Sequence, residues 1–153
     1  MEILDVLSRA DVLESKALSA GFVQFSKLIA VLKERTLPVE TVELINGHVN
    51  EINATNAQGK ALLKEIRKSQ TAILMHLDKT LKIVPTGQYV ALGFVLGMSL
   101  IGIPLGLIIS TTLKNPGLLG LGLPVGMFIG AIIGKSKEKK AKEEGRLLDI
   151  KIK

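Results

Sequence analysis

The hydrophobic and polar positions change their rhythm three times along the chain. Leu18, Phe22, Phe25, Ile29 and Leu32 step by four, three, four and three residues. That spacing lines one face of a helix, and with Leu4 and Leu7 upstream it predicts a single helix over about residues 2–35. Thr36-Leu37-Pro38 interrupts it, and proline suits the first turn of a new helix. Beyond it, Val42, Ile45, Val49, Ile52, Asn56, Gly59, Leu63, Ile66, Gln70, Ile73, Leu77 and Thr80 alternate steps of three and four without a break. This is a heptad seam, and it predicts a long helix in a coiled coil or elongated bundle. Asn56 and Gln70 fall at a positions, where polar side chains fix register at a cost in stability. Leu62, Leu74 and Leu81 widen the apolar face. The face suits two neighbours, and the expectation is an oligomer seam, with an intramolecular helical hairpin as the alternative.

The second rhythm is continuous. Residues 83–113 form 31 positions without a charge, and residues 115–134 form 20 more. About 20 apolar residues in a helix cross the roughly 30 Å hydrocarbon core of a bilayer. Thr111-Thr112-Leu113-Lys114-Asn115-Pro116-Gly117 carries turn chemistry between the two stretches. The expectation is a two-helix transmembrane hairpin with spans at about 86–113 and 118–134, kinked in the first span at Pro104. The span centres hold no ionisable residue, although proton relays and ion-coupled transporters use one. Ser99, Ser110, Thr111 and Thr112 are their hydroxyls.

Within these stretches the glycines are periodic. The second holds Gly122, Gly126, Gly130 and Gly134 at spacing four, and the first holds the pairs Gly93–Gly97 and Gly102–Gly106. Bare backbone along one helix face lets another helix approach closely, so these eight glycines are expected to be helix-packing positions. They could close the hairpin, join protomers, or do both.

Charge sharpens the three-part division. Residues 1–82 carry 11 basic and 10 acidic side chains, residues 83–134 carry Lys114 alone, and residues 135–153 carry 8 basic and 4 acidic. The mean hydropathy of +0.37 therefore averages a polar helical region, an apolar glycine-rich one and a basic tail. Lys79 and Lys82 flank the first span, and Lys135, Lys137, Lys139 and Lys140 follow the second. The positive-inside rule places these flanks, and with them both termini, in the cytoplasm. The same lysines are candidates for contact with anionic lipid headgroups, with fixing the topology alone as the alternative. Residues 1–20 carry six charges and no apolar block, unlike a cleaved signal peptide. At the far end, Leu148-Asp149-Ile150-Lys151-Ile152-Lys153 alternates like a strand that would add to a partner or stay disordered.

Candidate chemistry is sparse. The chain has no Cys, which removes disulfides and thiolate chemistry. Its two His, His48 and His76, fall at g positions about 42 Å apart on one continuous helix, too far to share a metal. No phosphate loop, nucleophile elbow or HExxH motif occurs, and no basic patch is interleaved with aromatics for nucleic acid. No catalytic residue, metal or cofactor is expected.

The run Gly122–Gly134 followed by Lys135-Ser136-Lys137-Glu138-Lys139-Lys140 resembles small bacterial membrane proteins of the glycine-zipper type. The resemblance covers only the second span and tail, and it implies a bacterial inner-membrane oligomer without supplying an activity. The expected function is a non-enzymatic, self-associating structural or scaffold element in contact with membrane lipids. The alternatives are an oligomeric pore or channel, or an accessory subunit bound to a partner in a larger membrane complex.

Overall fold

The computed structural model describes residues 2–151. Its internal contacts divide the chain into two units. The first ends at Val84 and takes back the chain from Leu148 onward, and the second is Pro85–Leu147.

Three helices build the first unit: α1 (Lys16–Lys33), α2 (Val39–Ala54) and α3 (Gly59–Leu81). The expected helix from residue 2 starts only at Lys16. Ser15 caps it, its hydroxyl accepting the Leu18 amide at 3.1 Å, which satisfies one orphan donor of the first turn. Upstream, Ala10–Glu14 is a 3₁₀ turn and residues 2–9 form an arm outside any helix or strand. Ile3 of the arm and Val12 of the turn are buried, while Leu4 and Leu7 are exposed.

The arm is held by two asparagines of α2. Asn46 accepts the Leu4 amide at 2.8 Å and donates to the Glu2 carbonyl at 3.0 Å. Two helical turns on, Asn53 accepts the Leu7 amide at 2.9 Å and donates to the Asp5 carbonyl at 2.9 Å. Each side-chain amide thus meets a donor and an acceptor two residues apart, as a neighbouring strand would. Arg9 finishes the arm by donating to the carbonyls of Thr55 (2.8 Å) and Ala57 (3.0 Å), and it pairs with Asp11 at 2.8 Å. A cation there suits the negative end of α2.

The heptad seam is not one helix. Residues 55–58 break it, with Thr55 extended and Gly59 at φ +55° starting α3. The run Asn56-Ala57-Gln58-Gly59 holds a residue that competes for backbone bonds and one that costs most helix entropy. Val42, Ile45, Val49 and Ile52 on α2 and Ile66, Ile73 and Leu77 on α3 are all buried, packed with Leu18, Phe25, Leu28, Ile29 and Leu32 of α1. Asn56 is exposed and Leu63 half-buried. The expected oligomer seam is therefore corrected to the core of an intramolecular three-helix bundle. Each fully buried Leu, Ile or Phe stabilises it by about 1.5–3 kcal/mol. Gln70 is buried too, and its Nε2 finds no hydrogen-bond partner among the described residues.

The tail also differs from expectation. Gly145, at φ +69°, ends the last helix, with the Arg146 amide reaching back to the Ala141 carbonyl and the Gly145 amide to Lys142; this is the Schellman arrangement that favours glycine. Strand β1 (Val84–Pro85) then pairs with β2 (Leu147–Leu148). Leu148 and Ile150 are buried in the bundle core while Asp149 and Lys151 are exposed. The strand-like alternation is real, but its apolar side packs on its own chain. Ile152 and Lys153 lie outside the described residues.

Two outcomes follow for the arm. Asn46→Ala should speed amide exchange at Leu4 and leave Leu7 protected, and Asn53→Ala should do the reverse; each should lower bundle stability by about 1 kcal/mol. Equal exchange at both sites in either variant would contradict the paired clamps. The hydrogen bond from Arg9 holds the Asp11 carboxyl below its ordinary value of 3.8. A depressed carboxylate contributes stability above its unfolded value and loses it as pH falls through the folded one. Arm protection should therefore be flat from neutral pH down to about 4 and fall below that. The Asp11→Asn variant, compared by amide exchange, should lose that acid-limb dependence.

Candidate functional site: a glycine-faced helical hairpin

The second unit is built from two apolar helical stretches. The first, Gln88–Thr112, is 25 residues, and the second, Pro116–Glu143, is 28. Both are long and apolar enough to cross a membrane. Only 17% and 22% of their most apolar windows are buried inside the protein, so Phe94, Leu100, Ile108 and Phe128 face outward. A soluble core helix would bury such side chains.

The first stretch is not uniform. It runs as α4 (Gln88–Leu96), a π-helical turn (Gly97–Gly102) and α5 (Ile103–Thr112). Pro104 cannot donate to the carbonyl one turn back and crowds it. The wider π turn lies directly before it, so the irregularity expected at Pro104 is taken up by Gly97–Gly102 as a π-bulge. At the turn, Lys114 adopts a left-handed conformation at φ 49°, and the Asn115 side chain accepts the Gly117 amide at 3.0 Å. A 3₁₀ turn (Pro116–Leu121) leads into α6 (Gly122–Glu143).

All eight glycines singled out by spacing meet across the hairpin. Gly93 faces Gly130 and Gly134; Gly97 faces Gly126 and Gly130; Gly102 faces Gly122 and Gly126; Gly106 faces Gly122 and Leu119. The approach is backbone to backbone. A Cβ added at Gly97 would lie 2.7 Å from the Gly130 Cα, one at Gly126 would lie 2.6 Å from the Gly102 Cα, and one at Gly134 would lie 2.7 Å from the Val90 Cα. Carbonyl oxygens stand closer still. No real Cβ tolerates such distances, so any side chain here must push the helices apart. Gly120, by contrast, has open space around it.

The charged end of the hairpin has its own tie. The Gly87 amide donates to Glu138 Oε1 at 3.1 Å, linking the start of α4 to the helical turn after the last glycine. Gly87 itself sits at φ +90°, a conformation that favours glycine. The other oxygen, Oε2, is buried without a hydrogen-bond partner among the described residues. Nearby, Arg146 is held more basic than usual, chiefly by its hydrogen bond to Glu144, with Tyr89 a lesser contributor.

The remaining candidates are dispersed. Lys135, Lys137, Lys139 and Lys140 continue α6 with exposed side chains, and Lys79 and Lys82 are exposed at the end of α3. His76 bonds Thr41 at 3.2 Å and His48 bonds Glu51 at 3.1 Å. They occupy different helices and serve local contacts. No group of three metal-ligating side chains converges among the described residues. Sequence reasoning missed the Asn46–Asn53 clamp and the Glu138–Gly87 tie. The seven-residue repeat of Asn on one face was a signal for the first; nothing local announced the second.

Comparison with family models, with curated proteins and with solved structures finds no match to this chain.

The glycine contacts give a sharp expectation. Gly97→Leu and Gly130→Leu should each destabilise the hairpin by at least about 1–3 kcal/mol, the usual cost of overpacking. Gly120→Ala should be neutral. Denaturation of the detergent-solubilised protein checks this, and equal stability of the three variants would contradict the backbone contact.

Proposed function

We propose that this chain is a non-enzymatic integral membrane protein whose hairpin anchors a helical bundle at the cytoplasmic face of the bacterial inner membrane. The bundle serves there as a structural or scaffold element, or as an accessory subunit of a larger membrane complex. The observation that carries this reading is the pairing of two long apolar helices along a glycine seam while their bulky side chains face outward. Outward Leu, Ile and Phe are costly in water and suited to lipid. Glycine packing is what membrane helices use when hydrophobicity cannot drive them together. The bundle supplies the polar counterpart, with a core of its own.

Self-association is not part of this reading in its expected form. The heptad seam is buried in the bundle, and the glycines face each other within one hairpin. Both surfaces that suggested an oligomer are therefore occupied inside a single chain. Among the hydroxyls of the two apolar stretches, Ser99 Oγ donates to the Val95 carbonyl at 2.9 Å and Thr111 Oγ1 to the Leu107 carbonyl at 2.8 Å, which favours the anchor reading over the pore alternative.

Topology tests the proposal directly. The chain has no native Cys, so single cysteines can be labelled without background. A membrane-impermeant maleimide added to spheroplasts should react with Lys114→Cys and should reach Lys139→Cys only after lysis. Labelling of both before lysis, or of neither, would overturn the arrangement.

A further inference from the structure

An open groove runs along one side of the hairpin, within the second unit. Its floor is the glycine seam, where Gly93, Gly97 and Gly130 bring the two backbones together. One rail is Leu92, Leu96 and Leu100, spaced one turn apart, and Ile133 stands on the other helix. The volume is about 230 Å³. All of the lining is uncharged except for one end, where Lys137 lies beside Tyr89. The groove therefore has a single cationic, hydrogen-bonding mouth on a long apolar trough.

From Tyr89 to Ile101 the trough spans 12 helical steps, about 18 Å at 1.5 Å per residue. One leaflet of the hydrocarbon core is about 15 Å deep. A groove one leaflet long, charged only at the headgroup level, has the dimensions and polarity of a single phospholipid. We propose that it binds one anionic phospholipid of the cytoplasmic leaflet, with an acyl chain along Leu92, Leu96 and Leu100 and the phosphate at Lys137 and Tyr89. The proposal rests on the membrane reading above. The glycine seam then has a second consequence: the backbones it draws together form the floor of a trough walled by Leu92, Leu96 and Leu100.

Native mass spectrometry of the full chain, released from nanodiscs containing equal phosphatidylglycerol and phosphatidylcholine, tests this. The wild type should retain one lipid, enriched in phosphatidylglycerol. Leu96→Trp fills the trough from the rail and does not touch the glycine contacts, so it should lose the bound lipid. Lys137→Gln should keep a lipid but reduce the preference for the anionic headgroup about fivefold, the effect of one lysine at a membrane surface. A wild type carrying no lipid, or unchanged retention in Leu96→Trp, overturns the proposal. So does a dimer that Leu96→Trp dissociates, since a second copy would then occupy the trough. Carbonate extraction of membranes from the same cells separates the two levels. Protein that stays in the membrane but holds no lipid refutes the groove alone, whereas protein released by carbonate refutes the membrane reading and the groove with it.

Discussion

The close approach of two glycine-faced helices is the constraint on which the second unit depends. Between helices in lipid the hydrophobic effect contributes little, because an acyl chain is as apolar as a leucine. What remains is dispersion over a large matched area, with weak Cα–H···O contacts between backbones. Both decay within a fraction of an ångström, so they need the backbones to touch. Gly93, Gly97, Gly102 and Gly106 on one helix and Gly122, Gly126, Gly130 and Gly134 on the other make this possible over the whole length of the pair. The bulky residues are then forced outward, which gives the unit its apolar surface. The groove has this seam as its floor and Leu92, Leu96 and Leu100 along one side.

The first unit follows the opposite physics. Its helices meet through interlocking Leu, Ile and Phe side chains, and polar side chains hold the arm against them. Asn46 and Asn53 supply the hydrogen bonds that an arm without strand or helix partners would otherwise lack. Arg9 closes the end of α2. The last described residues return to this core through Leu148 and Ile150.

Much of this was legible in the residues. Uncharged length and glycine spacing gave the two apolar helices and the residues on their facing sides, because both signals are local and both depend on simple periodicity. The heptad positions also gave the buried face of α2 and α3. What periodicity could not give was the partner of that face. A seam reads the same whether it meets another chain or α1, and only the break at residues 55–58 lets α3 fold back. The arm was misread as helix because Leu4 and Leu7 fit the helical spacing. Its conformation is decided by Asn side chains some 40 residues away, a contact no local pattern encodes. Pro104 announced an irregularity in the first apolar helix, but its form as a π turn over Gly97–Gly102 is not encoded by any local spacing.

The central claim is that the glycine seam closes within one chain. Paired cysteines at Leu92 and Ile133, which line the same groove from the two helices, test it most directly with a short bifunctional maleimide in native membranes. The double variant should crosslink within the chain and migrate at monomer size, while an equal mixture of the two single variants should give no dimer-sized product. A dimer-sized band from the mixture, with no internal crosslink in the double variant, would show that the helices pair between chains and would contradict the account.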